Sequence, residues 1–190
     1  NLFNFTISMK SFSNHFLISM PHMNDPIFSK SLIYICEHNK EGSMGLIINK
    51  PMISENAADI IQQTGLHQIQ PMPDIYFGGP VNLEMGLFLH DTSYDIEGTL
   101  SVSKSISLTS NKQIVVDLKN GTGPSEYRFS FGYAGWGKGQ VEREIENGDW
   151  LVMPADDEFI FSIPNPDKWQ KAASKFGIDI LDLGGSAGIA

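Results

Sequence analysis

Apolar residues in this chain gather in short runs closed by turn-forming residues, a pattern of strands more than of long helices. The stretch His15–Pro51 holds three such runs, Phe16–Met20, Leu32–Cys36 and Leu46–Ile48. The first predicts a strand over His15–Met20, ended by Pro21. The second predicts a strand over Ser31–Glu37, and its near-continuous Ile, Leu and Tyr content implies cover on both faces. Glu41-Gly42-Ser43 signals a turn and Gly45–Asn49 the returning strand, so these two strands read as a hairpin with a loop of several residues.

Further on, Ser54 is placed to cap a helix that Ala57, Ile60 and Ile61 make amphipathic and Gly65 ends. Short strands are predicted at Asp74–Phe77 and Gly86–His90, and an edge ribbon over Thr99–Leu108. A helix capped by Ser110 runs to Leu118. Glu126–Tyr133 alternates aromatic and polar residues, as a half-buried strand does. After the glycine-rich Gly135–Gly139 comes a short helix, Gln140–Glu146. Strands at Trp150–Met153 and Phe159–Phe161 flank an acidic loop, Asp156-Asp157-Glu158. The last helix, Asn165–Phe176, takes Asn165 as its cap and Gly177 as its stop. This order is strand-rich, with helices inserted singly and no regular β-α-β-α alternation. It predicts an α+β fold: one domain with a mostly antiparallel, strongly coiled sheet.

Composition narrows the setting. With 190 residues, 41% of them hydrophobic and 18% charged, the chain is large enough for one self-sufficient core. A net charge of −9 opposes non-specific binding to nucleic acid or anionic lipid, which Lys and Arg drive by displacing counterions. No apolar run reaches the roughly 20 residues of a membrane-spanning helix. The opening NLFNFTISMK lacks the basic start and continuous apolar segment of a signal peptide. Met9-Lys10 reads as a start, so residues 1–9 are expected to be an upstream extension or a vector remnant, and 10–190 the domain. Cys36 is the single cysteine, which excludes an internal disulfide framework and fits a reducing, cytosolic setting.

Four segments together resemble the YqgE/AlgH family of bacterial proteins. They are FLISMPHMNDPIFSKSLIYICEHNKEGSMGLIINKP at 16–51, FGGPV at 77–81 with LFLH at 87–90, GYAGWGKGQVEREIENGDWL at 132–151, and WQKAASKFGID at 169–179 with the closing GGSAGIA. Two positions depart from the family pattern: Met85 stands where an Arg is usual, and Ile189 where the tail commonly has His. The resemblance implies a single cytosolic α+β domain. Some members carry the label of transcriptional regulator, but no agreed activity or catalytic residues come with the family.

The potentially reactive side chains fall at joints between the predicted strands: His22, Asp25, Glu37, His38 and His90. A His/carboxylate set can bind a divalent metal or serve as a general base. No His-x-x-x-His, paired-cysteine or His-Glu-x-x-His spacing is present, so neither metal nor cofactor is expected. Gly135-Trp136-Gly137-Lys138-Gly139 matches no phosphate-loop spacing and reads as a structural turn. Cys36 lies among apolar and acidic neighbours, as a buried inert thiol does. Ser43 lacks the setting of a nucleophile elbow. The sequence therefore favours a protein that works through contact with a protein or small ligand. Its expected surface is where the His22–Asp25 loop, the Glu37–Lys40 loop with His38 and Asn39, and the Gly78–Pro80 turn with Gly79 meet. One alternative is a hydrolase built on His22, Glu37 and His38; another is a DNA-binding regulator, which the charge disfavours.

Overall fold

A computed structural model of the protein describes residues 11–52 and 55–177. The expectations for the first nine residues, the Ser54 cap and the tail with Ile189 lie outside the described residues. Nine strands form one curled sheet: β1 His15–Ser19, β2 Leu32–Asn39, β3 Gly42–Ile47, β4 Ile75–Phe77, β5 Val81–Asp91, β6 Leu100–Ser101, β7 Ile106–Thr109, β8 Tyr127–Gly137 and β9 Trp150–Pro154. Among the described residues, five α-helices are set singly between them: α1 Glu55–Thr64, α2 Gln113–Lys119, α3 Gln140–Glu146, α4 Asp157–Phe161 and α5 Asn165–Lys175. The sheet order is β6-β7-β5-β8-β3-β2-β1-β9, with β4 paired to β8. Every pairing is antiparallel except β4 with β8. The α+β, mostly antiparallel and coiled sheet is therefore the observed fold.

β8 holds the architecture together. Its first half pairs with β5 and β4, and its second half with β3. Between the halves Gly132 takes φ +71°, a left-handed conformation in which a side chain is strained. The strand bends there and carries one sheet into the other.

Both faces of β1–β3 are covered, which is why their runs barely alternate. Phe16, Ile18, Leu32, Tyr34, Leu46 and Ile48 face a core closed by α4 and α5 through Phe159, Ile160, Trp169 and Ala172. Leu17, Ile33, Ile35 and Ile47 face a second core with Trp136, Val141 and Trp150. A third cluster, including Phe88, Ile114, Phe129 and Phe131, lies under α1 and α2.

Several boundaries correct the sequence reading. Phe159–Phe161 is helical, not a strand: Asp156 caps α4 by accepting from Glu158 N at 3.1 Å. Asp157 and Glu158 then sit in its first turn, where carboxylates suit the helix dipole. The acidic run is a helix start instead of a solvated loop. Asn165 does not cap α5; its Oδ1 accepts from Arg128 at 2.6 Å and its Nδ2 donates to the Tyr76 hydroxyl at 3.3 Å. Ser110 does not cap α2: Lys112 is its N-cap residue, and Asn111 Oδ1 just before it accepts from Gln113 N at 3.0 Å. The β2–β3 connection is tight, only Lys40 and Glu41 lying between the strands. A bulge between Ile35 and Glu37 lets polar Glu37, His38 and Asn39 continue the ladder, so all three are strand residues.

Two cations are buried together under α4 and α5. Lys168 is fully buried and donates to Ile160 O at 3.0 Å. Arg128 donates to the same carbonyl and lies 3.8 Å from the centroid of the Tyr76 ring. Burial first, and the Arg128 charge second, push the Lys168 amine down to about 6. The folded value lies below the unfolded 10.5, so between them the unfolded chain holds a proton the folded chain lacks. Stability then rises with pH across that window. Lys168→Met, which leaves Ile160 O satisfied by Arg128, is expected to gain about 1–2 kcal/mol at pH 7. In paired thermal melts its advantage should be largest at and below about pH 6 and shrink toward pH 10. An advantage independent of pH, or a loss at pH 7, would contradict this assignment.

Candidate functional site

The hairpin β2–β3 carries Glu37, His38 and Asn39 of the predicted site residues, and strand alternation splits them between its two faces. Glu37 pairs with Met44, and His38 pairs with Ser43. Glu37 is exposed, while His38 is buried at 8% exposure.

On the buried side, the Ser43 hydroxyl and His38 Nδ1 share a hydrogen bond at 2.6 Å. His38 Nε2 lies 3.1 Å from Glu142 Oε1 on α3, off the line a hydrogen bond needs. Phe12 covers the ring edge-on, centroids 5.1 Å apart. This row ties the hairpin to α3. A general base here would need a substrate hydroxyl where Ser43 already sits, and Phe12 packs on the imidazole. His22 is exposed and Glu37 is on the opposite face, so the His22, Glu37 and His38 set does not converge.

Asp25 and the Glu37–Asn39 segment border different clefts. Asp25 borders a cleft of about 300 Å³ with Met23, Phe28, Trp136, Glu144 and Trp150. Its Oδ1 accepts from Ile27 N and Phe28 N at 2.8 and 3.0 Å, which fixes the loop. In that cleft Glu144 Oε2 accepts both indole N–H groups, from Trp136 at 2.8 Å and Trp150 at 3.0 Å. Gln140 donates to Oε1 at 3.1 Å and accepts from Gly137 N, so the glycine-rich segment is held by its own helix.

Gly78 and Gly79 are buried packing positions. Gly78 N donates to Phe131 O and its carbonyl accepts from Ile47 N, stitching β3 to β8 where they diverge. A Cβ on either glycine would fall within 2.3 Å of the β8 backbone.

Glu37 and Asn39 line a groove of about 650 Å³. Its walls are the β2–β3 hairpin on one side, with Glu41 and Met44, and β5 on the other, with Val81, Met85 and Leu87; Tyr133 and Trp136 complete it. No Lys, Arg or His lines it. Met44, Met85 and Tyr133 pack against the large core cluster, so the groove is an open continuation of that core. Met85, where the family pattern has Arg, stands in its wall.

Cys36 is buried, and burial followed by the Glu37 charge pushes its thiol far up, which leaves it inert. His90 is fully buried as well, bonded to Asp91 O at 2.7 Å and Thr109 Oγ1 at 2.6 Å. Among the described residues, no three His, Cys, Asp or Glu side chains come together as a metal set. No helix among them is long and apolar enough to cross a membrane.

Residues 16–181 match the family model described as AlgH-like. The chain belongs to that family. UPF0301 proteins of Saccharophagus degradans and Cupriavidus metallidurans are 44% and 42% identical, over 94% and 93% of this chain and 88% and 94% of their own lengths. The solution structure of the AlgH protein from Pseudomonas aeruginosa superposes with a TM-score of 0.76 at 35% identity, covering 96% of this chain and 98% of that one. A Corynebacterium diphtheriae protein shares the fold, with a TM-score of 0.67 at 23% identity, covering 88% of this chain and 87% of that one.

Most of the groove could not be found from the sequence. Glu37 and Asn39 were among the predicted residues; Glu41, Met44, Val81, Met85, Leu87 and Tyr133 were not. The one local signal was Val81, Leu83 and Met85 at alternate positions with Asn82 and Glu84 between them. That Val81 and Met85 face the hairpin depends on the long-range pairing of β5 and β3 to β8.

Proposed function

We propose that the protein works as a binding module, through contact of a protein or small ligand with the groove between the β2–β3 hairpin and β5. The observation that carries this reading is the groove itself: half-buried Met44, Met85 and Tyr133 beside exposed, acidic Glu37 and Glu41, with the core behind them. Thioethers adapt to varied apolar partners, and an apolar patch with a polar rim marks a contact surface. The candidate reactive side chains, by contrast, lie on different faces or are sealed by packing. A regulatory role would act through this contact and not through DNA, since Asp and Glu outnumber Lys and Arg by 22 to 13.

Nile red, a neutral apolar dye, tests the reading on folded protein. Its fluorescence should rise on binding, and Met44→Glu with Met85→Glu should weaken that binding by about tenfold or more, the effect of losing roughly 1.4 kcal/mol. Both positions are only partly buried, so the melting temperature should change little. Undiminished dye binding by the folded double variant would sink the placement.

A further inference from the structure

We infer that the occupant of this groove is an extended peptide segment with apolar residues at alternate positions, flanked by at least one Lys or Arg. The inference rests on the reading above and adds the chemistry of the partner.

The first ground is the backbone of β5. Its pairing with β8 jumps from Val81–Tyr133 to Gly86–Phe131, and β7 reaches only as far as Phe88. Asn82–Met85 therefore has no ladder partner on either neighbour, and Asn82, with φ +49°, turns the excursion outward. Unpaired strand backbone is a template for another chain, whose N–H and C=O groups complete the ladder.

The side chains of that excursion supply the second. Val81 and Leu83 are 38% and 53% exposed, large apolar groups left in water, and Met85 follows at the same spacing. A period of two is the repeat of an extended chain, so an added strand would set its own alternate side chains against these.

Charge gives the third. Glu37 and Glu41 stand in the groove wall, and among the described residues no basic residue lines the groove. An acidic rim around an apolar floor selects a partner with the opposite charge beside its apolar residues, mainly through association rate and orientation. The same charge rejects nucleic acid and anionic lipid.

Random peptides displayed on phage and selected against the full chain provide the test. Enriched sequences should share alternate apolar positions with a flanking Lys or Arg. A synthetic winner should bind with micromolar affinity that falls at least threefold between about 0.05 and 0.5 M NaCl, as screening shortens the range of the rim charges. Met85→Arg, which puts the usual family residue into the wall, should weaken it by about tenfold or more. Glu37→Lys with Glu41→Lys, both on exposed side chains, should turn the selected flank acidic. Enriched peptides without basic bias, or binding indifferent to these variants, would overturn the inference. No enriched peptide while Nile red still binds in the groove would also overturn it but leave the binding reading standing. Failure of dye and peptide alike would remove both.

Discussion

Gly79→Ala should prevent stable folding, at a cost above about 4 kcal/mol. Gly79 has φ +152°, and a Cβ built there lies 2.1 Å from Tyr133 C and 2.3 Å from both Tyr133 O and Ala134 N. Each of these is backbone of β8, the strand that joins the two halves of the sheet, so no side chain can swing aside. Relief requires moving the segment between β4 and β5 off β8, which loses the Gly78 bonds to Phe131 and Ile47. Circular dichroism of purified Gly79→Ala should show a melting temperature lowered by at least ~10 °C, or no folded protein at all. A variant that melts within a few degrees of the parent would show that Gly79 is a loop glycine after all, available to a ligand as the sequence suggested.

The second large effect is expected at Glu144. Removing its carboxylate by Glu144→Ala leaves the indole N–H groups of Trp136 and Trp150 without their acceptor, in rings that are 7% and 3% exposed. An unsatisfied buried donor costs about 1–3 kcal/mol, so the pair should cost roughly 2–5 kcal/mol. That corresponds to a melting temperature lower by roughly 5–15 °C for a chain of this size. Glu144→Gln keeps a carbonyl oxygen for both indoles and should recover most of the loss. If Glu144→Ala melts with the parent, the shared carboxylate contributes nothing net and water replaces it freely.

What the chain reveals without its fold follows a physical division. The α+β class, the strand at β1, the doubly covered β2 and the helices at α1, α3 and α5 were legible because burial on both faces, amphipathic spacing and end signals are local. The Asp156–Glu158 run was misread as a loop because a capping aspartate followed by acidic residues looks the same in either setting; only the packing of Phe159 and Ile160 on the core decides for helix. Asn165 was misread in the opposite direction, since a residue suited to capping is drawn instead to Arg128, which is 37 positions away in the chain. Among the candidate site residues, Glu37 and Asn39 do line the groove, whereas His38 turns inward because neighbours on a strand point to opposite faces. Gly78 and Gly79 were noticed for their chemistry and serve for their lack of it. The apolar half of the groove depends on β5 meeting the hairpin across β8, a pairing no local pattern encodes.

The protein carries its own probes for locating the binding surface. Of its eight methionines, Met44 and Met85 line the groove, Met23 lines the cleft across the sheet, and Met72 is an exposed loop residue. The decisive measurement is methyl NMR of protein labelled at the methionine methyls, titrated with indole as a small neutral apolar ligand. A binding module built on this groove predicts saturable shifts of the Met44 and Met85 methyl signals, with Met23 and Met72 unmoved. Shifts at Met23 with Met44 and Met85 silent would place binding in the tryptophan cleft and contradict the assignment.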